Sequence, residues 1–306
     1  MAKKRVAVLV GCNYANTPHK LHGCINDVLA MRDTLVARFG FDPSHVELLT
    51  DGPDSPIQPT GKNIKSVLRR VIDGAGPGAV LFFHYSGHGT RIPSVKPGHP
   101  FRQDEAIVPC DFNLITDVDF RDLVNRLQNE ASFTMLSDSC HSGGLIDKEK
   151  EQIGPASADR GGSPLIQRQR TISFDSIMVH LSSLSGISSA HIGDHLSHLF
   201  GDEASPKLRK NEAALPMRRD KGILLSGCQA NETSADMDPS MGGGKSFGAF
   251  SYAVETVLKS HAGALSNREL VSRARQVLMK QGFEQHPCLY CSDENADAPF
   301  LCQQAH

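Results

Sequence analysis

The 306-residue chain is 39% hydrophobic and 22% charged, with 32 basic against 34 acidic side chains and a formal net charge of −2. This is the composition of a soluble globular protein with room for a large core, and the near-neutral balance argues against nucleic acid or an anionic membrane as the main partner. Eight cysteines without regular spacing, with one isolated C-x-x-C at Cys288 and Cys291, make neither a disulfide framework nor a zinc ribbon. A reducing compartment, cytoplasm or nucleus, is therefore expected, with the apoplast reached only after release.

The start, "MAKKRVAVLVGC", sets Lys3, Lys4 and Arg5 before an apolar run, as a secretory signal does, but the run is short and Asn13 and Tyr14 follow. It reads as a first buried strand, Val6 to Val10, and no signal peptide is assigned. No apolar stretch nears the ~20 residues of a membrane helix. Further strand-like runs are Val46–Leu49, Ala79–Tyr85, Ala106–Val108, Phe133–Leu136 and Ile223–Leu225. Between the first of them, Ile25, Val28, Leu29, Leu35, Val36 and Phe39 share one helical face, and Ile64, Val67, Leu68 and Val71 share another. From about Asp147 to Lys221 the chain turns Gly-, Ser- and Arg-rich without core periodicity, which predicts a functional or flexible insertion. Beyond it, Ser266 with Glu269 predicts a capping box, with Leu265 and Leu270 as its hydrophobic staple. Strands alternating with helices predict an α/β fold with a mostly parallel sheet, whose carboxyl ends are where ligands meet.

Two of those carboxyl ends carry chemistry. "SDSCHSGG" puts Cys140 after a buried strand, with small residues behind it, and "FFHYSGHGT" exposes His88 between Gly87 and Gly89 at the end of another. A thiol needs a base within hydrogen-bond reach. His141 is adjacent to Cys140 but points to the opposite face of an extended segment. His88, from another strand, is the better base. A zinc site from His84, His88, Cys110 and Cys140 is disfavoured, because an i, i+4 His pair converges on a helix and not on a strand running into a turn. Cys24 and the other cysteines read as packed thiols.

"HYSGHGT" and "SDSCHSGG" resemble the His and Cys motifs of the caspase-like clan, and more narrowly of the metacaspases. The likeness runs on through "GCINDV", "DEAIVPCD", "ITDVDFRDLV", "SGCQANETSAD" and "HPCLYCSD". The long insertion, with no Pro-rich segment in front, is similar to the type II metacaspases of plants. The caspase signature Q-A-C-x-G is absent, since Cys140 follows Asp138 and Ser139. The resemblance implies a caspase/hemoglobinase-like α/β sandwich in one unit: a large catalytic part (1–146), a linker (147–221) carrying a self-cleavage site, and a small part (222–306). It also implies a cysteine endopeptidase acting on protein and peptide substrates after Arg or Lys, without cofactor, as a monomer whose cleaved fragments stay together.

Carried onto this chain, Cys140 is the nucleophile, His88 manages the proton, and the amides of Gly89 and Cys140 hold the oxyanion. Asp27 and Asp138 match the acidic residues that line the pocket for the basic substrate residue, called S1, where paired carboxylates suit a guanidinium fork. In "RGGSPLIQRQRTISF" the expected self-cleavage is between Arg170 and Thr171, with Lys148, Lys150, Arg160 and Arg168 as competitors. Calcium-dependent relatives carry an acidic cluster where this chain has "RIPSVKPGHPFRQ", and Val118 interrupts Asp117 and Asp119, so no metal is expected. Asp104, Glu105, Asp117 and Asp119 are what would remain of a cation site. The alternative function, from a different class, is a catalytically dead scaffold or interaction module on the same fold.

Overall fold

The computed structural model describes residues 4–93, 103–128, 130–140, 145, 151–154, 168–209, 222–228, 234–237, 239–240 and 242–301. In chain order, β1 (Arg5–Gly11) leads to α1 (Cys24–Phe39), β2 (Val46–Thr50), α2 (Gly61–Asp73) and β3 (Val80–Ser86). Then come β4 (Gly89–Pro93), β5 (Gln103–Ile107), β6 (Ile115–Thr116), α3 (Asp117–Asn125) and β7 (Ser132–Asp138). The predicted insertion supplies β8 (Glu151–Ile153), β9 (Arg168–Gln169), α4 (Phe174–Ser185) and α5 (Ile192–Phe200). The remainder supplies β10 (Gly222–Ser226), β11 (Ala235–Asp236), α6 (Ala249–Ser260), α7 (Asn267–Lys280), β12 (Cys288–Tyr290) and α8 (Asp293–Asp297).

Seven strands form the central sheet in the order β2-β1-β3-β7-β10-β12-β8. The first five are mutually parallel, whereas β12 runs antiparallel to β10 and β8 antiparallel to β12. A parallel sheet covered on both faces demands strands apolar at every position, and that is why "VAVLV" and "VLFFHYS" are continuous runs. Along β1, Val6, Val8 and Val10 enter one core with α2, α3 and the insertion helices, while Ala7 and Leu9 enter another with α1, α6 and α7. The same alternation sends Leu81, Phe83 and Tyr85 one way and Val80 and Phe82 the other. The run at Ala106–Val108 belongs to a separate antiparallel sheet, β4-β5-β6. No helix among the described residues is long and apolar enough to cross a membrane.

The insertion is more ordered than its composition predicts. Ile177 and Leu181 of α4 and Ile192 and Leu196 of α5 are buried in the first core. Each helix contributes only two such residues, too few to register as periodicity. Serines complete the packing: His195, fully buried, meets Ser185 Oγ at 2.8 Å through Nδ1 and the Ser189 carbonyl at 2.9 Å through Nε2.

The capping box at α7 is formed as its residue types predict, with Glu269 N–H donating to Ser266 Oγ (3.1 Å) and Ser266 N–H donating to Glu269 Oε2 (2.9 Å). Leu265 and Leu270 are both buried in the second core beside it. Replacing Ser266 with alanine in a Cys140→Ala chain should cost about 1 kcal/mol in urea unfolding, with the m-value unchanged.

Candidate active site

The pairing of β3 with β7 fixes where the two reactive side chains emerge. Tyr85 lies opposite Ser137 and Ser86 opposite Asp138, so His88 and Cys140, each two residues farther on, leave the sheet side by side at its carboxyl edge. The backbone of His88 is pinned by two tyrosines that the sequence did not single out. Its N–H donates to Tyr14 Oη (3.0 Å), and its carbonyl accepts from Tyr85 Oη (2.9 Å) and from the Val108 N–H (3.0 Å).

On the ring, Nε2 lies 2.6 Å from the His19 carbonyl oxygen. A carbonyl only accepts, so the proton sits on Nε2 and Nδ1 presents a lone pair, which has no hydrogen-bond partner among the described residues. Burial pushes the His88 pKa down to about 4 and pushes the Cys140 thiol up. The pair is therefore neutral in this closed state. Cys140 Sγ accepts the Ser234 N–H at 2.9 Å. His141 lies outside the described residues. Cys24 is fully buried and burial raises its thiol pKa, as for a packed cysteine.

The chain's own Arg170 fills this site. Its carbonyl oxygen accepts from both Gly89 N–H (3.1 Å) and Cys140 N–H (3.2 Å), the two amides expected to hold an oxyanion. Its N–H donates to the Ser234 carbonyl (2.8 Å), and just upstream β9 pairs antiparallel with β11, Gln169 opposite Ala235. Downstream, Ile172 N–H donates to the Gly89 carbonyl (3.1 Å) and Thr90 Oγ1 to the Ile172 carbonyl (2.8 Å). The peptide bond between Arg170 and Thr171 is thus held on both sides across the cysteine. Gly89 permits this approach, since a Cβ there would stand 1.7 Å from the Cys140 carbonyl oxygen.

The Arg170 side chain is fully buried among carboxylates. Nη2 lies 2.9 Å from both Asp27 Oδ2 and Asp236 Oδ1, and Nη1 lies 2.7 Å from Ser86 Oγ, 3.1 Å from the Asp138 carbonyl and 3.5 Å from Asp138 Oδ2. The amino end of α6 holds the acids in turn: Gly248 N–H donates to Asp27 (2.8 Å to Oδ1) and Ser251 N–H to Asp138 Oδ2 (2.7 Å). Burial nevertheless pushes Asp27 up to about 7 against the pull of Arg170. A Cβ at Gly248 would come within 2.2 Å of Asp138 Oδ2 and 2.3 Å of Arg170 Nη1, so the pocket needs glycine there. Asp236, the third carboxylate, was missed; it sits in "SAD", a motif with no periodicity or spacing to mark it. An open cleft of about 640 Å³, lined by Leu21, His22, His88, Gln169 and Thr171 among others, adjoins the filled pocket.

Of the residues considered as a residual cation site, Asp104 and Asp117 share Lys207, whose Nζ stands 2.9 Å and 2.6 Å from their Oδ1 atoms. Asp119 caps α3 through Thr116 and faces Lys65 at 3.5 Å.

Known proteins share this architecture. The caspase-domain family matches residues 4–298. Metacaspase-9 of Arabidopsis thaliana is 59% identical over 321 residues, covering 99% of this chain and 98% of that protein. Metacaspase-6 of the same plant is 37% identical over 373 residues, covering 99% and 100%. Metacaspase-1 of Schizosaccharomyces pombe is 32% identical over 304 residues, covering 94% of this chain and 67% of the relative. A crystal structure of a Geobacter sulfurreducens protein aligns with a TM-score of 0.66 at 19% identity, covering 96% and 97%, which speaks to the fold alone. The chain therefore belongs to the caspase-domain family as a metacaspase of the plant type II group, and it is a cysteine-type endopeptidase.

Proposed function

We propose that this endopeptidase cleaves after arginine or lysine, that its first substrate is its own Arg170–Thr171 bond, and that it needs no calcium. The observation that carries the reading is Arg170 itself: guanidinium among Asp27, Asp138 and Asp236, and carbonyl on the amides of Gly89 and Cys140. A substrate in the act of being cut requires that arrangement. Until the cut, the same segment fills the site and keeps other substrates out, so the whole chain is a zymogen.

In the reaction, His88 Nδ1 takes the thiol proton as Cys140 Sγ attacks the Arg170 carbonyl carbon. The Ser234 N–H stabilises the developing thiolate, and the Gly89 and Cys140 amides take the charge that moves onto the carbonyl oxygen. His88 then gives the proton to the departing Thr171 nitrogen, and water, deprotonated by the same imidazole, releases the acyl group. Among P1 residues, those just before the cut, arginine should outrun lysine, because a point ammonium satisfies fewer of the acceptors that face the two guanidinium arms.

Lys207 supports calcium independence: a tethered ammonium already engages both Asp104 and Asp117, and Arg121 also pairs with Asp117, where a divalent cation would need oxygen ligands free to bind it. Interleaved strands support lasting association of the fragments. β8 from the first fragment pairs with β12 from the second, and β7 pairs with β10. A dead scaffold has no use for a peptide threaded through a complete dyad and oxyanion site.

The purified chain should therefore split with a small fragment beginning at Thr171, in the presence of a chelator. Cys140→Ala should leave it whole, and His88→Ala should slow the cut by ~10³-fold or more. A start elsewhere, a cut in Cys140→Ala, or a requirement for millimolar calcium would count against the corresponding part of the reading.

The pH dependence should distinguish the first cut from later ones. His88 works as a base only when neutral, and in the filled site its pKa is held down to about 4, so self-cleavage should rise with pH through about 4 and show no His88 limb at 6.5, any further rise near 7 belonging to Asp27. Peptide kcat/KM reports the open enzyme, where water re-enters and the same limb moves to higher pH. Rates of self-cleavage and peptide hydrolysis measured from pH 4 to 8 should give two displaced curves, and superimposable curves would refute the assignment.

A further inference from the structure

Gln285 lies in the connection between α7 and β12, far in sequence from every residue of the site, and is 5% exposed. Among the described residues, its side-chain hydrogen bonds all go to the wall on which the substrate pairs. Oε1 accepts the Ala235 N–H (3.1 Å), and Nε2 donates to the Gly227 carbonyl and to Ser234 Oγ (3.3 Å). Gly227 follows the last residue of β10, and its own N–H is fixed to the Ser137 carbonyl of β7 (2.8 Å). The amide thus ties β11 to the end of the central sheet beside Cys140.

What it holds is a residue with two tasks. Ser234 donates its N–H to Cys140 Sγ (2.9 Å) and accepts the Arg170 N–H on its carbonyl (2.8 Å). The other end of β11 is secured separately, by the Asp236–Gly248 bridge and by Met237 N–H on the Phe247 carbonyl (2.7 Å). The Ser234 end otherwise pairs with β9, which is the substrate strand and leaves after each turnover.

We propose that Gln285 is a positioning residue for the cysteine peptidase: it keeps the Ser234–Ala235 peptide aimed so that one N–H meets the thiolate and one carbonyl meets the P1 amide. The inference rests on the proposed dyad and on Arg170 as the built-in substrate. Because a donor to sulfur gains strength only as charge builds there, losing its alignment falls on kcat more than on KM.

Two variants test this, with the rate of self-cleavage of the whole chain as a single-turnover readout. Gln285→Met keeps the volume and removes every hydrogen bond, so a packing role predicts an unchanged rate, whereas positioning predicts a fall of about 10²-fold. Gln285→Glu reproduces the amide only while protonated, with a carbonyl for Ala235 and an O–H for Gly227. As pH rises it ionises and turns an oxygen against the Gly227 carbonyl. Its rate should therefore approach the wild-type value near pH 5 and fall at least about tenfold below it by pH 8, a slope that the wild type lacks. A thermal melt checks that each variant is folded, and Gln285→Glu alone decides the matter if Gln285→Met is not. Wild-type rate and pH profile in the folded variants would overturn the proposal. Hydrolysis of an arginyl peptide by the same proteins separates the two failures. A wild type that turns over peptide yet stays whole loses only the self-cleavage reading, and the ratio of variant to wild-type kcat on that peptide then decides Gln285.

Discussion

A guanidinium with no solvent exposure, facing three buried carboxylates, is the constraint around which this molecule is organised. Removing such ions from water costs several kcal/mol each, and their attraction offsets that only when the remaining lone pairs and protons are satisfied. Here Asp27 takes Gly248 N–H and Ser86 Oγ–H, Asp138 Oδ2 takes Ser251 N–H, and Asp236 takes His22 N–H, while Asp138 Oδ1 and Arg170 Nε have no hydrogen-bond partner among the described residues. Three of those donors are backbone groups, two of them at the start of α6, so the pocket is built mainly from main chain that cannot relax away. Burial still pushes Asp27 up to about 7, against the pull of Arg170. On the proposed specificity, an arginine is accepted because the site is already dehydrated and aligned for it.

Fixing the guanidinium fixes the bond proposed to be cut. The side chain runs to the base of the pocket, β9 on β11 sets the direction of approach, and the Arg170 carbonyl is delivered to Gly89 and Cys140. The proposed catalytic pair needs no long-range adjustment, because β3 and β7 are neighbours in register and both side chains stand two residues past the last pair. Burial that makes this pair neutral also makes the chemistry depend on the substrate being in place. In the proposed reaction the proton moves from sulfur to His88 only against an amide held to receive the attack, which protects the thiol until it has a target.

Much of this was legible in the residues, for identifiable reasons. The central strands announce themselves because a parallel sheet buried on both faces needs unbroken apolar runs, and His88 and Cys140 announce themselves because each ends such a run among glycines and serines. Asp27 and Asp138 came from resemblance to a family, as no spacing links residues 111 apart. Asp236 ends a stretch that carried the family likeness but nothing there marked it as a pocket acid, and Gln285 gave no signal: one lies in a two-residue strand, the other in a loop, and both act through contacts that only the folded chain creates. Lys207 stands in the linker with no pattern to mark it, whereas its partners Asp104 and Asp117 stand across the fold. The insertion was read as loose because serine and histidine, not leucine, complete the packing of α4 against α5. β8 and β12, three residues each, are too short to show a period.

On the proposed reading, Arg170 occupies the pocket as the enzyme's own first substrate and closes the site until it is cut. Labelling Cys140 with an arginyl chloromethyl ketone in two uncleavable chains tests this. Thr171→Pro keeps Arg170 and blocks the bond, and no described hydrogen bond uses the Thr171 N–H that proline removes. Arg170→Ala empties the pocket. Mass spectrometry should find Cys140 labelled in intact Arg170→Ala and protected in intact Thr171→Pro. Equal labelling of the two, or none in either, would contradict it.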